Sequence, residues 1–298
     1  MADRLYLVLE DRGLLSLGGD DRATFLQGLI SNDITKVAPE RAVYASLLTA
    51  QGRFLHDFFI AERDGTYLID AEAARLDDLR RRLMLYRLRS KVTLAPVEDQ
   101  VVVALFGDGA LQALGLGDTP GRATAFAGGI AYVDPRLAGL GARAVLSCER
   151  LEAVTAAGFV ASDRVAYDRL RLSLGVPDGS RDLPVEKALL LENGFDELNG
   201  VDWKKGCYVG QEVTARMKYR ALVRKRLLPV RLEGELPAPG TPVVLDGEDA
   251  GEMRSAAGGW GLALLRLDVV EKAEREGRSL SAGPASVTPL KPSWWSAA

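Results

Sequence analysis

Residues 43–71 read VYASLLTAQGRFLHDFFIAERDGTYLIDA, three apolar runs rich in β-branched and aromatic residues, parted by Gln51-Gly52 and Asp64-Gly65. That pattern predicts a meander of three strands, with a hairpin at the second turn. On either side the period changes. DRATFLQGLI, residues 21–30, gathers Phe25, Leu26, Leu29 and Ile30 on one face behind an aspartate and predicts a short amphipathic helix, followed by a turn beyond SNDIT. In ARLDDLRRRLMLYRL, residues 74–88, Leu76, Leu79, Leu83 and Tyr86 recur at helical spacing, so the arginines fall on the opposite face. From VVVALFGDGALQALG to ARAVLSCERLEAVTAAG the chain alternates strand, helix, strands and helix, which suits a small α+β unit. Gly107-Asp108-Gly109 stands between strand and helix as a dinucleotide fingerprint would, but Gln112 occupies the place of its third glycine, leaving a plain turn. After Arg224 come the short β-like runs LLPVRLEG, TPVVLDG and GLALLRL, and residues 225–290 predict a small barrel. The class is α+β, with antiparallel sheets and helices over several domains: residues 1–95 with 160–224, residues 96–159, and residues 225–298.

Composition narrows the chemistry. With 298 residues, 47% hydrophobic and 27% charged, the chain has ample core material for two or three domains. Its start, MADRLYLVLEDR, lacks the apolar stretch of a signal peptide, and no run is long enough to cross a bilayer, so a reduced, cytoplasmic setting without membrane partners is expected. Two cysteines, Cys148 and Cys207, make no disulfide framework. A single histidine, His56, removes histidine-rich metal sites, and no metal site is expected. The net charge of −3 argues against nucleic acid as a partner, although arginines cluster between Arg75 and Lys91 and again between Arg216 and Arg226. The helix arginines fit a solvated face or a docking surface for an acidic protein. Trp294 and Trp295 are expected to pack on the barrel.

One stretch stands out: WKKGCYVGQEVTAR, Trp203 to Arg216, sets Cys207 after two lysines and between two glycines. Cations beside a thiol favour thiolate and glycines allow close approach, while burial would act in the other direction. Cys207 thus reads either as a reactive thiol or as a small core residue.

The run Lys205-Gly206-Cys207-Tyr208-Val209-Gly210-Gln211-Glu212 resembles the signature of the YgfZ-type folate-binding proteins, relatives of the glycine-cleavage T-protein that act in iron–sulfur cluster assembly. FLQGLISNDIT, YASLLTAQGRFLHDFFI, YRLRSKVTL, RLRLSLGVP and AGEMRSAAGGWGLALLRL follow in the family's order, so the resemblance covers nearly the whole chain. It implies a T-protein-like multidomain fold with a ferredoxin-like unit and a C-terminal β-barrel. It also implies a site for tetrahydrofolate, with one glutamyl residue or several, beside a reactive Cys207. Tyr44, Asp57, Lys205, Gln211, Glu212 and Arg216 are its expected binding residues, Arg216 for the anionic glutamyl tail. Two positions depart from the T-protein pattern: His56 replaces the first of two adjacent acids, and Ser173 replaces a pterin-binding glutamate. The resemblance therefore implies a monomeric folate-binding accessory factor that builds, delivers or repairs clusters on iron–sulfur client or scaffold proteins. Its alternatives are a tetrahydrofolate-dependent aminomethyl or methyl transferase, and a cysteine-nucleophile enzyme with His56, a lysine or a carboxylate as base.

Overall fold

The structure, a computed structural model, describes residues 4–220 and 223–295. Two compact units form it: one of Met1–Leu48, Leu55–Asp163 and Asn199–Val209, the other of Thr49–Phe54, Arg164–Leu198 and Gly210–Ala298.

In chain order the elements of the first unit are β1 (Leu5–Val8), β2 (Arg12–Gly18), α1 (Arg22–Gln27), β3 (Val43–Leu48), β4 (Phe54–Arg63, whose first residue groups with the second unit), β5 (Thr66–Glu72), α2 (Leu76–Leu85), β6 (Thr93–Val97), β7 (Gln100–Phe106), α3 (Ala110–Ala113), β8 (Ala123–Phe126), β9 (Gly129–Val133), β10 (Ala142–Ser147), α4 (Glu152–Ala156) and β11 (Val160–Ala161). They make a five-stranded sheet in the order β3-β4-β5-β2-β6 and a six-stranded sheet in the order β11-β1-β7-β10-β9-β8. The expected meander is present. Arg63 pairs with Thr66 across Asp64 and Gly65, both at positive φ, as a two-residue hairpin turn requires. β3 and most of β4 are buried on both faces, which accounts for their nearly unbroken apolar runs. The Gly107-Asp108-Gly109 turn leads only into the single turn of α3, as its missing third glycine foretold.

No strand was expected before residue 21, yet β1 pairs with β7 and β2 lies between β5 and β6. The sheet built on residues 96–159 thus borrows β1 and β11 from outside that span. A buried carboxylate ties the two sheets. Asp70 on β5 accepts from Arg12 Nε at 2.6 Å and from Arg143 Nη2 on β10 at 2.6 Å. The guanidinium carbons of Arg12, Arg136 and Arg143 lie 5.5, 4.9 and 4.0 Å from the Phe59 ring centre, a set of cation–π contacts inside the fold.

The second unit contains α5 (Arg164–Ser173), α6 (Gly179–Asp182), α7 (Gln211–Tyr219), β12 (Lys225–Glu233), β13 (Pro242–Leu245), β14 (Glu248–Ala257), β15 (Trp260–Arg266), α8 (Leu267–Glu276), β16 (Leu280–Ala282) and β17 (Ala285–Pro289). Its strands close into a barrel in the order β12-β15-β14-β13-β16-β17. Val230, Val243, Met253, Leu265 and Val287 fill it, and α8 covers it with Val269, Val270 and Ala273. That helix was not expected. Trp295 packs on the barrel core and Trp294 Nε1 donates to the Leu174 carbonyl at 2.6 Å, so both serve packing. Arg171, on α5 and fully buried, donates to Asp168 at 2.5 Å, to Asp182 of α6 at 2.7 Å and to Ser255 of β14 at 3.1 Å.

Candidate functional site

The signature begins where residues 199–209 return to the first unit and lie against the end of α1. Helix ends leave carbonyls without partners, and here a lysine supplies the donor. Lys205 Nζ donates to the carbonyls of Gln27 and Ile30, each at 2.5 Å. The Gln27 amide returns a bond to the Lys205 carbonyl at 3.1 Å, and Val209 N donates to the Gly28 carbonyl at 3.1 Å. Burial draws the Lys205 ammonium down from its ordinary value to about 8, and its Nζ lies 5.1 Å from the Tyr208 ring centre. Upstream, Ser31 Oγ donates to the Gly200 carbonyl at 2.6 Å, and Asn32 Nδ2 donates to the Tyr44 and Asn199 carbonyls at 2.8 and 2.7 Å. Gln27, Ser31 and Asn32 were not singled out from the sequence. Their signal is the polar run SND directly after an amphipathic helix. Between the anchors at Lys205 and Val209, Gly206 takes φ +90° and Cys207 is exposed with a free thiol.

On β4, His56 and Asp57 point to opposite faces, as strand geometry demands. Asp57 accepts from the Tyr44 hydroxyl at 2.9 Å, and both residues are buried. Burial, then the charge of Asp57, raises the Tyr44 phenol well above its usual range, so the hydroxyl remains a donor. On the opposite face, His56 Nε2 lies 3.0 Å from Asp78 Oδ2 of α2. Burial, then the Arg75 cation, pulls the imidazole down to about 4. A buried, neutral His56 held by Asp78 is a core residue rather than the base of an exposed thiol.

A cavity of about 250 Å³ opens beside Tyr44 in the first unit, lined also by Asn32, Lys36, Arg41, Thr119 and Asn199. Pockets for drug-sized ligands run to roughly 300–1,000 Å³, so this one admits a ring system and leaves a longer tail outside. An aromatic side chain, amides and two cations form a donor set that fits a flat, anionic ligand of the folate kind. Lys36 is shared with Asp202.

The other expected binding residues, Gln211, Glu212 and Arg216, belong to the second unit on α7, where Gln211 is half-buried and Glu212 and Arg216 are exposed. The structure therefore brings Tyr44 to Asp57 and places Lys205 and Cys207 on one anchored loop. It assigns the rest of the signature to a helix of the other unit. Within that unit the Gln51-Gly52 turn meets the signature: a Cβ on Gly52, at φ +74°, would stand 2.7 Å from the Gly210 carbonyl oxygen, so only glycine fits. Ser173 donates back to the Leu170 carbonyl of its own helix at 2.8 Å. Among the described residues no group of three or more His, Cys, Asp and Glu side chains is arranged to hold a metal.

Residues 224–297 match the family model of the CAF17 C-terminal beta-barrel domain. The whole chain is 33% identical to iron-sulfur cluster assembly factor IBA57, mitochondrial, of Mus musculus, across 96% of this chain and 84% of that protein. It is 35% identical to the Homo sapiens protein of the same name, across 96% and 84%. The structure matches the crystal structure of glycine cleavage system aminomethyltransferase T from Bartonella henselae with a TM-score of 0.75, covering 97% of this chain and 85% of that one at 14% identity. This last likeness establishes the T-protein-like fold expected from the sequence. The curated relatives bear the IBA57 name, a type related to the YgfZ type that the signature suggested. They are mitochondrial proteins, and that finding overturns the cytoplasmic placement inferred from the start of the chain.

Proposed function

Since the chain belongs to the IBA57-type family of iron–sulfur cluster assembly factors, we propose that it assists cluster assembly or delivery by presenting the Cys207 thiolate as one ligand to a cluster in transit. The supporting observation is an exposed thiol on a loop fixed at both ends, by the buried Lys205 ammonium and by the Val209 amide. Clusters usually take about four thiolates. One cysteine therefore leaves the remaining ligands to a scaffold or client, and a cluster held in part by each protein passes on by ligand exchange. Anchoring the loop removes the entropy cost of ordering it at each encounter. The test is cluster-dependent enzyme activity in cells lacking this protein, complemented by the wild-type chain or by Cys207→Ser with an unchanged circular dichroism spectrum. Restoration by the wild type alone is expected; equal restoration by the variant overturns the role of the thiol.

The cavity beside Tyr44 supports a folate as the accompanying cofactor, with Lys36 and Arg41 supplying charge-assisted bonds to its carboxylates. Asp57 fixes the Tyr44 hydroxyl, and bound folate supplies one-carbon and redox chemistry. Isothermal titration with tetrahydrofolate and its polyglutamylated form tests this. Binding of both is expected, with Arg41→Ala weakening the polyglutamylated form about tenfold; absence of heat with either form removes folate from the reading.

A further inference from the structure

The end of α2 and the turn after it carry two features that the assembly role leaves unexplained. The first is exposed apolar surface in an unfavourable conformation. Leu85, Tyr86 and Leu88 are 74%, 43% and 90% exposed. Leu88 takes φ +43° in a turn closed by Arg87 N to the Met84 carbonyl at 3.2 Å and Ser90 N to the Arg87 carbonyl at 2.7 Å. A left-handed backbone suits glycine or asparagine, and a leucine there adds strain with no burial to offset it. A requirement for the turn alone would not select it. Exposed apolar groups concentrated in one place mark an interaction site.

The second feature is charge. Between Leu79 and Val97 stand Arg80, Arg81, Arg82, Arg87, Arg89 and Lys91 without one acidic residue, in a chain whose net charge is −3. Arg81 and Arg82 are both engaged with Asp78, the latter at 2.7 Å, which leaves Arg80, Arg87, Arg89 and Lys91 to meet a partner. The pair of Arg80 with Asp77 is longer, at 3.7 Å, and both of its side chains are exposed, so water and salt weaken it. A groove of about 550 Å³ runs beside these residues, lined by Asp77, Asp78, Arg80, Arg81, Met84 and Leu85.

We propose that this region is a docking surface for an acidic segment of a partner protein, which sets one bulky apolar side chain against Met84 and Leu85 and its carboxylates against the arginines. The groove favours a polypeptide over a lipid surface, because a chain segment fills a concave, mixed apolar and cationic site whereas a bilayer bridges over it. Arginine forks suit carboxylates, and the apolar anchor supplies the desolvated contact that such surfaces need. The proposal stands apart from Cys207: it concerns recognition of the partner and predicts binding even where the thiol is absent.

The experiment uses the full chain and a fluorescent peptide of glutamates and aspartates around a Leu-Xxx-Xxx-Leu pair, with its glutamine and asparagine counterpart as control. Fluorescence anisotropy should show the acidic peptide binding at least about tenfold more tightly than the neutral one, with binding weakened by salt. Two variants, Arg80→Glu with Arg87→Glu, and Leu85→Ser with Leu88→Ser, should each lose about tenfold, while Cys207→Ser binds as the wild type does. Circular dichroism confirms that the variants fold, since every altered side chain is exposed. Hydrogen exchange should slow over residues 77–91 when the acidic peptide is present. No peptide binding, equal binding of the neutral peptide, or indifference to both double variants overturns the proposal. So does protection of residues 77–91 by vesicles containing an anionic phospholipid when the peptide gives none.

Discussion

His56 and Asp57 are adjacent in sequence and live in different chemistry, because a strand turns successive side chains to opposite faces. Asp57 meets the Tyr44 hydroxyl, and His56 meets Asp78 under α2. Burial, then the Arg75 cation, opposes a proton on His56 more strongly than Asp78 favours it. The consequence is a pH dependence of stability. The unfolded chain takes up this proton near pH 6.5, whereas the folded chain holds it off until about pH 4. Between those values the unfolded state binds more protons, so stability falls as pH falls through that window and is fully present above it. The effect amounts to up to about 3 kcal/mol. Urea unfolding at about pH 7 and pH 4.5 should show the loss in the wild type and a smaller one in His56→Gln; equal losses would mean that other groups carry it.

At the scale of the element, α1 and the signature loop act as one piece, because the donor that α1 lacks at its end comes from a lysine 178 residues away along the chain. Replacing it tests the arrangement. Lys205→Met keeps the apolar stem and removes the ammonium, leaving the Gln27 and Ile30 carbonyls unmet, at about 1–3 kcal/mol. Hydrogen exchange over residues 203–209 should quicken and cluster delivery should decline although Cys207 is intact; unchanged exchange would show that the loop holds without its lysine. This partnership has no local sequence signal, which is why Lys205 reads from the motif as a folate ligand or a thiol-activating cation, whereas its ammonium is held by carbonyls. The meander and α2 are legible because their periods are clean and Gln51-Gly52 and Asp64-Gly65 punctuate them. α8 is hidden because it follows β15 without a turn residue and offers only Val269, Val270 and Ala273 as a buried face. β1 and β2 are hidden for another reason: β1 is short and only half-buried, and the polar Glu10-Asp11 between them interrupts their alternation. Of the candidate site, a contiguous motif singles out Cys207, and the structure places it exposed on the anchored loop. The hydrogen bond of Tyr44 with Asp57 joins neighbouring strands, and no local pattern signals it.

At the scale of the whole molecule, each unit joins pieces distant in sequence through a buried ionic centre. In the first, Asp70 holds Arg12 and Arg143 and so links two sheets; in the second, Arg171 holds Asp168, Asp182 and Ser255 and so links two helices to the barrel. Such centres add little net stability when complete, because desolvation offsets attraction, but removing one partner strands a charge and costs about 3–5 kcal/mol. Arg171→Met leaves Asp168 with Arg181 at 2.8 Å while Asp182, wholly buried, loses its ion pair at 2.7 Å; the full cost is expected. Arg143→Met leaves Asp70 with Arg12, so its cost should lie at the lower end. The two centres share no residue, and substitutions without shared partners add to within about 0.5 kcal/mol. Hydrogen exchange read separately over β5 and β10 and over α5 and β14 should show each substitution loosening its own unit. The double variant should reproduce both losses, whereas a coupling above about 1 kcal/mol would mean that the centres sense each other and that the units unfold as one.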